Sequence, residues 1–382
     1  MSHSNVTSQR LDEIAGFIND SVCNVSVWTN CSNGTEDYDL IVPVPQIVVP
    51  ILFVILMLTG VVGNGTLIFT VLRNKSMRNV PNILIVNLSA GDLLLLVMSA
   101  PFSATVFTLE SYPFGELICK MNEYLQTLSA GVSVLTLTAL SGDRYVAIVY
   151  PMSKHKGKPT LKTSIAVAFI WIISAIFAIP DAISFNIQIH AGVYYCQPFP
   201  VRWQEWYGNT HCLFRFLTLF LIPLIIIGTF YFLMARILVK SSRQMPCEAT
   251  KGPGQSQQQQ RQIEARMKVA RVVLSFVLLF VVCWLPRHIY LIWFYWGTSD
   301  FSEFWVWFKL LGFCLTYVYS CVNPYALYFL SSQFRKYYNR YLFRCCPKSY
   351  RLRDSNGSGL QSYSTVRRGS TSLTMVKSNS EM

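Results

Sequence analysis

The chain is short of charge. Only 13% of its 382 residues are Asp, Glu, Lys or Arg, where an ordinary soluble domain carries about 25%. Its apolar residues, 52% of the total, are gathered in blocks rather than spread with the period of an amphipathic helix or strand, which excludes a soluble globular domain. Residues 1–40 lack a continuous apolar core, so no secretory signal peptide is visible and the first apolar block serves as the insertion signal. No cysteine stands at metal-ligand spacing from a histidine, which excludes zinc. No nucleophile–base or metal-ligand set recurs at one depth, which argues against an enzyme. No internal repeat appears either, and an odd number of blocks does not divide into the two halves common in transporters.

What is present is seven apolar runs, at 44–72, 80–108, 118–149, 161–180, 213–239, 268–296 and 304–330, each near the length needed to cross a bilayer. The expected fold is an all-α membrane protein, a bundle of seven transmembrane helices. The net charge of +13 suggests nucleic acid at first sight, but its placement points to membrane topology. Basic residues follow the odd-numbered runs: Arg73, Lys75 and Arg78, then Lys154, Lys156 and Lys158, then Arg236, Lys240 and Arg243, and finally Arg335, Lys336 and Arg340. The first forty residues instead carry Asp12, Glu13, Asp20, Glu36, Asp37 and Asp39 against Arg10. The positive-inside rule therefore puts the N-terminus outside and the C-terminus in the cytoplasm, with no nucleic-acid partner.

This topology divides the chain into an extracellular tail at 1–43, the bundle at 44–330, a membrane-surface helix at 331–346 and a disordered cytoplasmic tail at 347–382. The first tail carries N-glycosylation sequons at Asn5, Asn19, Asn24, Asn30 and Asn33. Cys119 and Cys196 both face the oxidising side and are expected to be joined, and Cys23 and Cys31 would close a small loop in the tail. In the third segment Phe334, Tyr337, Tyr338 and Tyr341 recur at helical spacing among Arg335, Lys336 and Arg340, the pattern of a helix lying on lipid. Cys345 and Cys346 just beyond it suit palmitoylation. Residues 182–200 alternate around Ile187, Ile189, Val193 and Tyr195, as a hairpin pinned by Cys196 would. The Gln-rich stretch within 240–263 reads as a flexible insert.

Polar groups at membrane depth should face protein rather than lipid. Asn64, Asp92, Ser133 and Asn323 are such groups. They serve either as interhelical hydrogen-bond glue or as a hydrated pocket around Asp92 that takes a sodium ion. Prolines at 101, 223, 286 and 324 mark helix distortions. Trp284 beside the Pro286 kink is either plain core or a lever beneath a ligand pocket. The pair Asp143-Arg144 lies 25 residues beyond Cys119, so one helix of roughly 38 Å carries a cysteine at one membrane surface and an acid–base couple at the other.

These elements together resemble a rhodopsin-like (class A) G-protein-coupled receptor. The match includes Gly63-Asn64, Leu88 to Asp92, Asp143-Arg144-Tyr145, Trp171, Pro223, Tyr231, Cys283-Trp284-Leu285-Pro286 and Asn323-Pro324. One position departs from the pattern: Leu327 stands where the family's Asn-Pro-x-x-Tyr has tyrosine, and Tyr328 follows. The run Asn323 to Ser331, Gln126 and Cys196-Gln197-Pro198-Phe199-Pro200 resemble the bombesin and endothelin receptor branch. Arg287-His288-Ile289-Tyr290 and Phe334 to Tyr341 are closer still to the insect CCHamide neuropeptide receptors.

The resemblance implies a receptor for an extracellular peptide. Gln126 in place of aspartate excludes the usual amine anchor, and Tyr317 in place of lysine excludes a retinal Schiff base. Ligand contacts are expected from Gln126, Glu123, Arg215, Arg287, His288 and Lys309. The activation switch is expected in Asp143, Arg144, Tyr145, Tyr231, Phe280, Trp284, Pro286, Asn323, Pro324 and Tyr328, and the sodium-type pocket in Asp92, Ser133 and Asn323. No cofactor is expected beyond that ion. Implied partners are a heterotrimeric G protein of Gq type, arrestin and receptor kinases acting on the Ser/Thr-rich tail, and membrane lipids. The rival reading is a membrane transporter or channel.

Overall fold

The computed structural model describes residues 44–106, 108–109, 111–150, 159–190, 192–199, 205–244, 253–297 and 303–342. The five sequons, Cys23, Cys31, Cys345, Cys346 and the two tails lie outside them. Besides a 3-10 turn at Lys75–Met77, the described residues include eight long or amphipathic helices and one hairpin. They are α1 (Val44–Arg73), α2 (Val80–Thr105), α3 (Gly115–Val149), α4 (Pro159–Ser184), β1 (Phe185–His190) and β2 (Val193–Pro198). There follow α5 (Glu205–Phe216, a wide turn at Leu217–Leu221, then Ile222–Gln244), α6 (Pro253–Trp296), α7 (Glu303–Leu330) and α8 (Ser332–Leu342). The first seven helices are long and apolar enough to cross a membrane, as the seven runs predicted.

Helices suit this role because a helix satisfies its backbone hydrogen bonds internally, where lipid offers none. Large apolar side chains such as Ile51, Ile55, Leu58, Phe169, Ile172 and Val282 stay exposed on the bundle surface, as lipid-facing residues would. The interior is a continuous cluster that includes Leu67, Leu88, Leu137, Ile227, Phe276, Phe280 and Leu327. Helix α3 runs through the middle and packs on α2, α4, α5 and α6. Its approach to α4 depends on Gly131, where an added Cβ would lie 2.9 Å from the Ser174 Cβ. Small residues of this kind allow membrane helices to pack closely.

Buried amides tie the bundle together. Asn64 donates to the Ser320 carbonyl at 2.8 Å, joining α1 to α7. Asn87 on α2 donates to Thr136 Oγ1 at 2.7 Å and accepts from Trp171 Nε1 at 2.8 Å, joining α2, α3 and α4. Helix α8 buries Phe334 and Tyr338 and exposes Arg335, Lys336 and Arg340, which is the face-sorted pattern read from its sequence.

Helix bounds differ from expectation in three places. Helix α4 runs past 180 to Ser184, through Pro180 and Asp181, because the Asp181 charge is paired with Arg215 inside the protein. Helix α5 begins at Glu205 rather than near 213. Its first turns are polar and dilute the hydropathy signal, yet His211 and Cys212 there are buried. The Gln-rich stretch expected to be flexible is helical from Pro253 onward, continuous with α6; glutamine is a good helix former and Pro is tolerated at a helix start.

The Cys119–Cys196 disulfide is formed and ties the start of α3 to β2. The hairpin pairs Ile187 with Cys196 in antiparallel register. A bond that closes a chain separation of 77 residues would stabilise by roughly 4–5 kcal/mol in the chain-entropy model. Cys119→Ser is therefore expected to lose most surface delivery and ligand binding, read by cell-surface labelling and radioligand binding. Normal binding by the variant would dismiss a structural role for the bond.

Candidate functional site

At the Cys119 end, α3 presents Glu123 and Gln126 one helical turn apart. Gln126 Nε2 donates to Glu123 Oε1 at 2.8 Å, and the Asn122 amide lies 3.4 Å from the same oxygen. Asn122 continues into a buried network the sequence did not announce. Ser99 Oγ donates to Asn122 Oδ1 at 2.8 Å, and Tyr317 OH donates to Ser103 Oγ at 2.7 Å. Spans two, three and seven thus share one polar floor beneath Glu123. The wide turn Leu95–Ser99, just before Pro101, turns both serines of α2 towards it.

Arg287 follows the Pro286 kink of α6, and its guanidinium lies 5.8 Å from the Phe313 ring centroid on α7. The two helices touch closely there: a Cβ on Gly312 would lie 2.9 Å from the Arg287 backbone nitrogen. Glu123 lies in the field of Arg287, Arg215 and Asp181. Lys309, exposed on α7, adds its charge to the field at Arg287. Among the described residues no carboxylate comes within 4.0 Å of Arg287. His288 behaves differently from the rest of the expected ligand set. It is buried against Phe220 at 4.7 Å and Phe216 at 5.6 Å, packed into the aromatic layer above Trp284.

The hairpin and the α2–α3 loop cover this end together. Tyr112 N–H donates to the Tyr194 carbonyl at 2.8 Å, and Tyr194 N–H to Ser111 Oγ at 3.1 Å. Burial, with a smaller push from the Glu123 charge, raises the Tyr112 phenol to about 12. Its hydroxyl stays protonated at any physiological pH, as a buried donor without a partner.

Deeper in the bundle, Asp92 Oδ2 accepts from Asn323 Nδ2 at 2.9 Å. Asp92 Oδ1, Asn323 Oδ1 and the Tyr319 hydroxyl are buried without hydrogen-bond partners. Tyr319 lies close enough to feel the Asp92 charge and to approach Asn323. Three orphaned oxygens, one of them from a carboxyl group, make a donor set that fits a small hard cation. Ser133 is buried on α3, and among the described residues no hydrogen bond joins it to Asp92. An aromatic column runs alongside: Trp284 stacks on Phe280 at 5.7 Å, and Phe280 meets Tyr319 edge-on at 5.5 Å and stacks on Phe220 at 6.0 Å.

At the opposite end of α3, Asp143 and Arg144 form an ion pair, with Arg144 Nε donating to Asp143 Oδ2 at 3.0 Å. Tyr145 stacks on Phe230 of α5 at 5.4 Å. Tyr231 OH donates to the Ala270 carbonyl at 2.9 Å, clipping α5 to α6. Pro324 of α7 packs against Gly63 of α1, where an added Cβ would come within 3.2 Å of it. Tyr328 donates instead to Asn339 Oδ1 of α8 at 3.1 Å, while Leu327 takes the buried inward position. Tyr328 is thus set at the α7–α8 junction, and Tyr231 on the α5–α6 contact.

The geometry is that of a seven-helix membrane bundle, with a cluster of polar and charged side chains at one end of the central helix and an acid–base pair at the other. The family model for seven-transmembrane receptors of the rhodopsin family matches residues 63–327, and the chain belongs to that family. It is 41% identical over 309 residues to the neuropeptide CCHamide-1 receptor of Drosophila melanogaster, covering 78% of this chain and 60% of that protein. It is 35% identical over 346 residues to the [Phe13]-bombesin receptor of Bombina orientalis, covering 87% of this chain and 84% of that protein. The family is one of receptors, which favours that reading over a transporter, a channel or an enzyme.

Proposed function

We propose that this chain is a plasma-membrane receptor for a neuropeptide or peptide hormone of CCHamide type. Its N-terminus is extracellular, and it activates heterotrimeric G proteins, Gq with calcium release. The observation that carries the reading is the pocket of Glu123, Gln126 and Arg287 beneath a disulfide-pinned hairpin, on the same helix as the distant Asp143–Arg144 pair. The mixed charges suit a peptide better than an amine or a lipid. The names of the two relatives support the ligand class, and the basic loops support the orientation. Glycans on the five N-terminal sequons, palmitate on Cys345 and Cys346, and arrestin and kinases at the Ser/Thr tail complete the reading. Calcium release from cells expressing the chain, challenged with synthetic Drosophila melanogaster CCHamide-1 and an amidated-peptide library, tests it. Peptide-independent solute flux would instead restore the transporter.

Sodium at Asp92 is part of the same proposal. The ion would favour the resting bundle, so replacing an inert organic cation with sodium should lower agonist affinity several-fold in the wild type. Asp92→Asn should abolish that dependence. A sodium-insensitive wild type would leave Asp92 as interhelical glue.

A further inference from the structure

An ionic cluster between α4 and α5, at the Cys119 end, ties Arg215 of the expected ligand set to two residues without a role so far, Asp181 and His211. Asp181 is 0% exposed. Its Oδ1 accepts from Arg215 Nη1 at 2.8 Å and lies 3.5 Å from His211 Nε2, while Oδ2 is buried without a hydrogen-bond partner. The Arg215 side chain keeps 11% exposure. A roof covers the cluster. Phe199 N–H donates to the Ser184 carbonyl at 2.8 Å, its carbonyl accepts from Gln188 Nε2 at 2.9 Å, and its ring meets His211 at 5.5 Å and Tyr295 at 6.1 Å. Phe199 adopts a φ of 62°, a region that bulky residues rarely occupy, so this roof is held against a local cost.

A buried ion pair is a poor way simply to fasten two helices. Desolvation offsets much of its attraction, and apolar residues of similar size often do as well or better. An orphaned carboxylate oxygen adds to the cost. The cluster makes sense if it serves Arg215. Arg215 and Arg287 lie in each other's field, with Lys309 adding to the charge at Arg287. Without Asp181, the two arginines would face Glu123 alone.

We propose that Asp181 is a positioning and specificity residue for ligand recognition. Its carboxylate fixes the Arg215 guanidinium by one arm and neutralises it. The remaining N–H groups of Arg215 then form a fixed fork for a ligand carbonyl or carboxylate, and Arg287 is left as the principal unpaired cation of the pocket. Guanidinium specificity depends on such a held, planar fork. The inference deepens the peptide-receptor reading and rests on it.

The test is a mutant cycle on the full chain, with synthetic Drosophila melanogaster CCHamide-1 as probe and surface expression matched by labelling. Asp181→Asn and Arg215→Lys are each expected to raise the half-maximal concentration tenfold or more, with Asp181→Glu recovering part of the loss. If Asp181 acts through Arg215, Asp181→Asn should cost less than twofold further in an Arg215→Gln background. Equal losses in the two backgrounds would overturn the proposal. Should Asp181→Asn fail to reach the surface, Arg215→Lys decides: wild-type potency there also overturns it. A silent wild type would sink the peptide reading and this inference with it, whereas a responsive wild type with a failed cycle sinks this inference alone.

Discussion

Arg287→Ala is expected to raise the peptide concentration for half-maximal signalling by roughly 30- to 3,000-fold at equal surface expression. The range follows from ~2–5 kcal/mol for a lost buried charged contact and ~1.4 kcal/mol per factor of ten. The residue earns this rank by its position. It stands at the α6 kink, over the Phe313 ring and in the field of Glu123, with no carboxylate within salt-bridge reach among the described residues. A ligand acceptor placed there meets a half-buried cation, and truncation removes that contact outright. Trp284→Ala should behave differently, cutting the maximal response more than binding, because the indole packs on Phe280 below the pocket. Unchanged potency in Arg287→Ala would move the ligand site elsewhere.

Arg144→Ala is expected to abolish G-protein activation while leaving peptide binding within a few-fold of wild type. Arg144 is almost fully buried and paired with its neighbour Asp143, a cheap arrangement for a cation at a membrane edge. Tyr231 holds α6 by the Ala270 carbonyl, on the same side of the bundle. In the mechanism we propose, activation breaks this arrangement: α6 swings out around the Pro286 kink and Arg144 is released to meet the G protein. A ligand drives that change only by as much as it binds the open state better than the closed one. Asp143→Asn, which weakens the restraint, should raise signalling without ligand. Nucleotide exchange on purified G protein measures both variants, and full exchange driven by Arg144→Ala would refute the mechanism.

The seven spans were legible because bilayer thickness imposes a length and an apolar content on each, and these survive without any knowledge of packing. The disulfide was legible for a similar reason, since topology placed both cysteines on one side. The ends of α4 and α5 were not. Asp181 reads as a loop residue until Arg215 is known to lie against it, and that pairing is long-range. The same holds for Asn122, Ser99, Ser103 and Tyr317, unremarkable singly and assembled only by the fold. Asp181 did leave one signal, a lone acid at the end of an apolar run, where an uncompensated charge is costly. Tyr328 was named from family resemblance, and its partner was not legible: its hydroxyl donates to Asn339 of α8, while Leu327 faces the core.

The wide turns at Leu95–Ser99 and Leu217–Leu221, each just ahead of a proline, carry a consequence for how such pockets diversify. A wide turn of this kind amounts to one extra residue in an otherwise regular helix. One residue corresponds to about 100° of rotation at 3.6 residues per turn. Everything on the pocket side of the turn is therefore swung round the helix axis, while the half below keeps its register with the rest of the bundle. A single-codon deletion at either place would rotate the upper half back by that angle and present a different set of side chains to the ligand, with no substitution in the pocket itself. The two turns work as rotational shims, through which the binding surface can be re-aimed independently of the signalling half of the molecule.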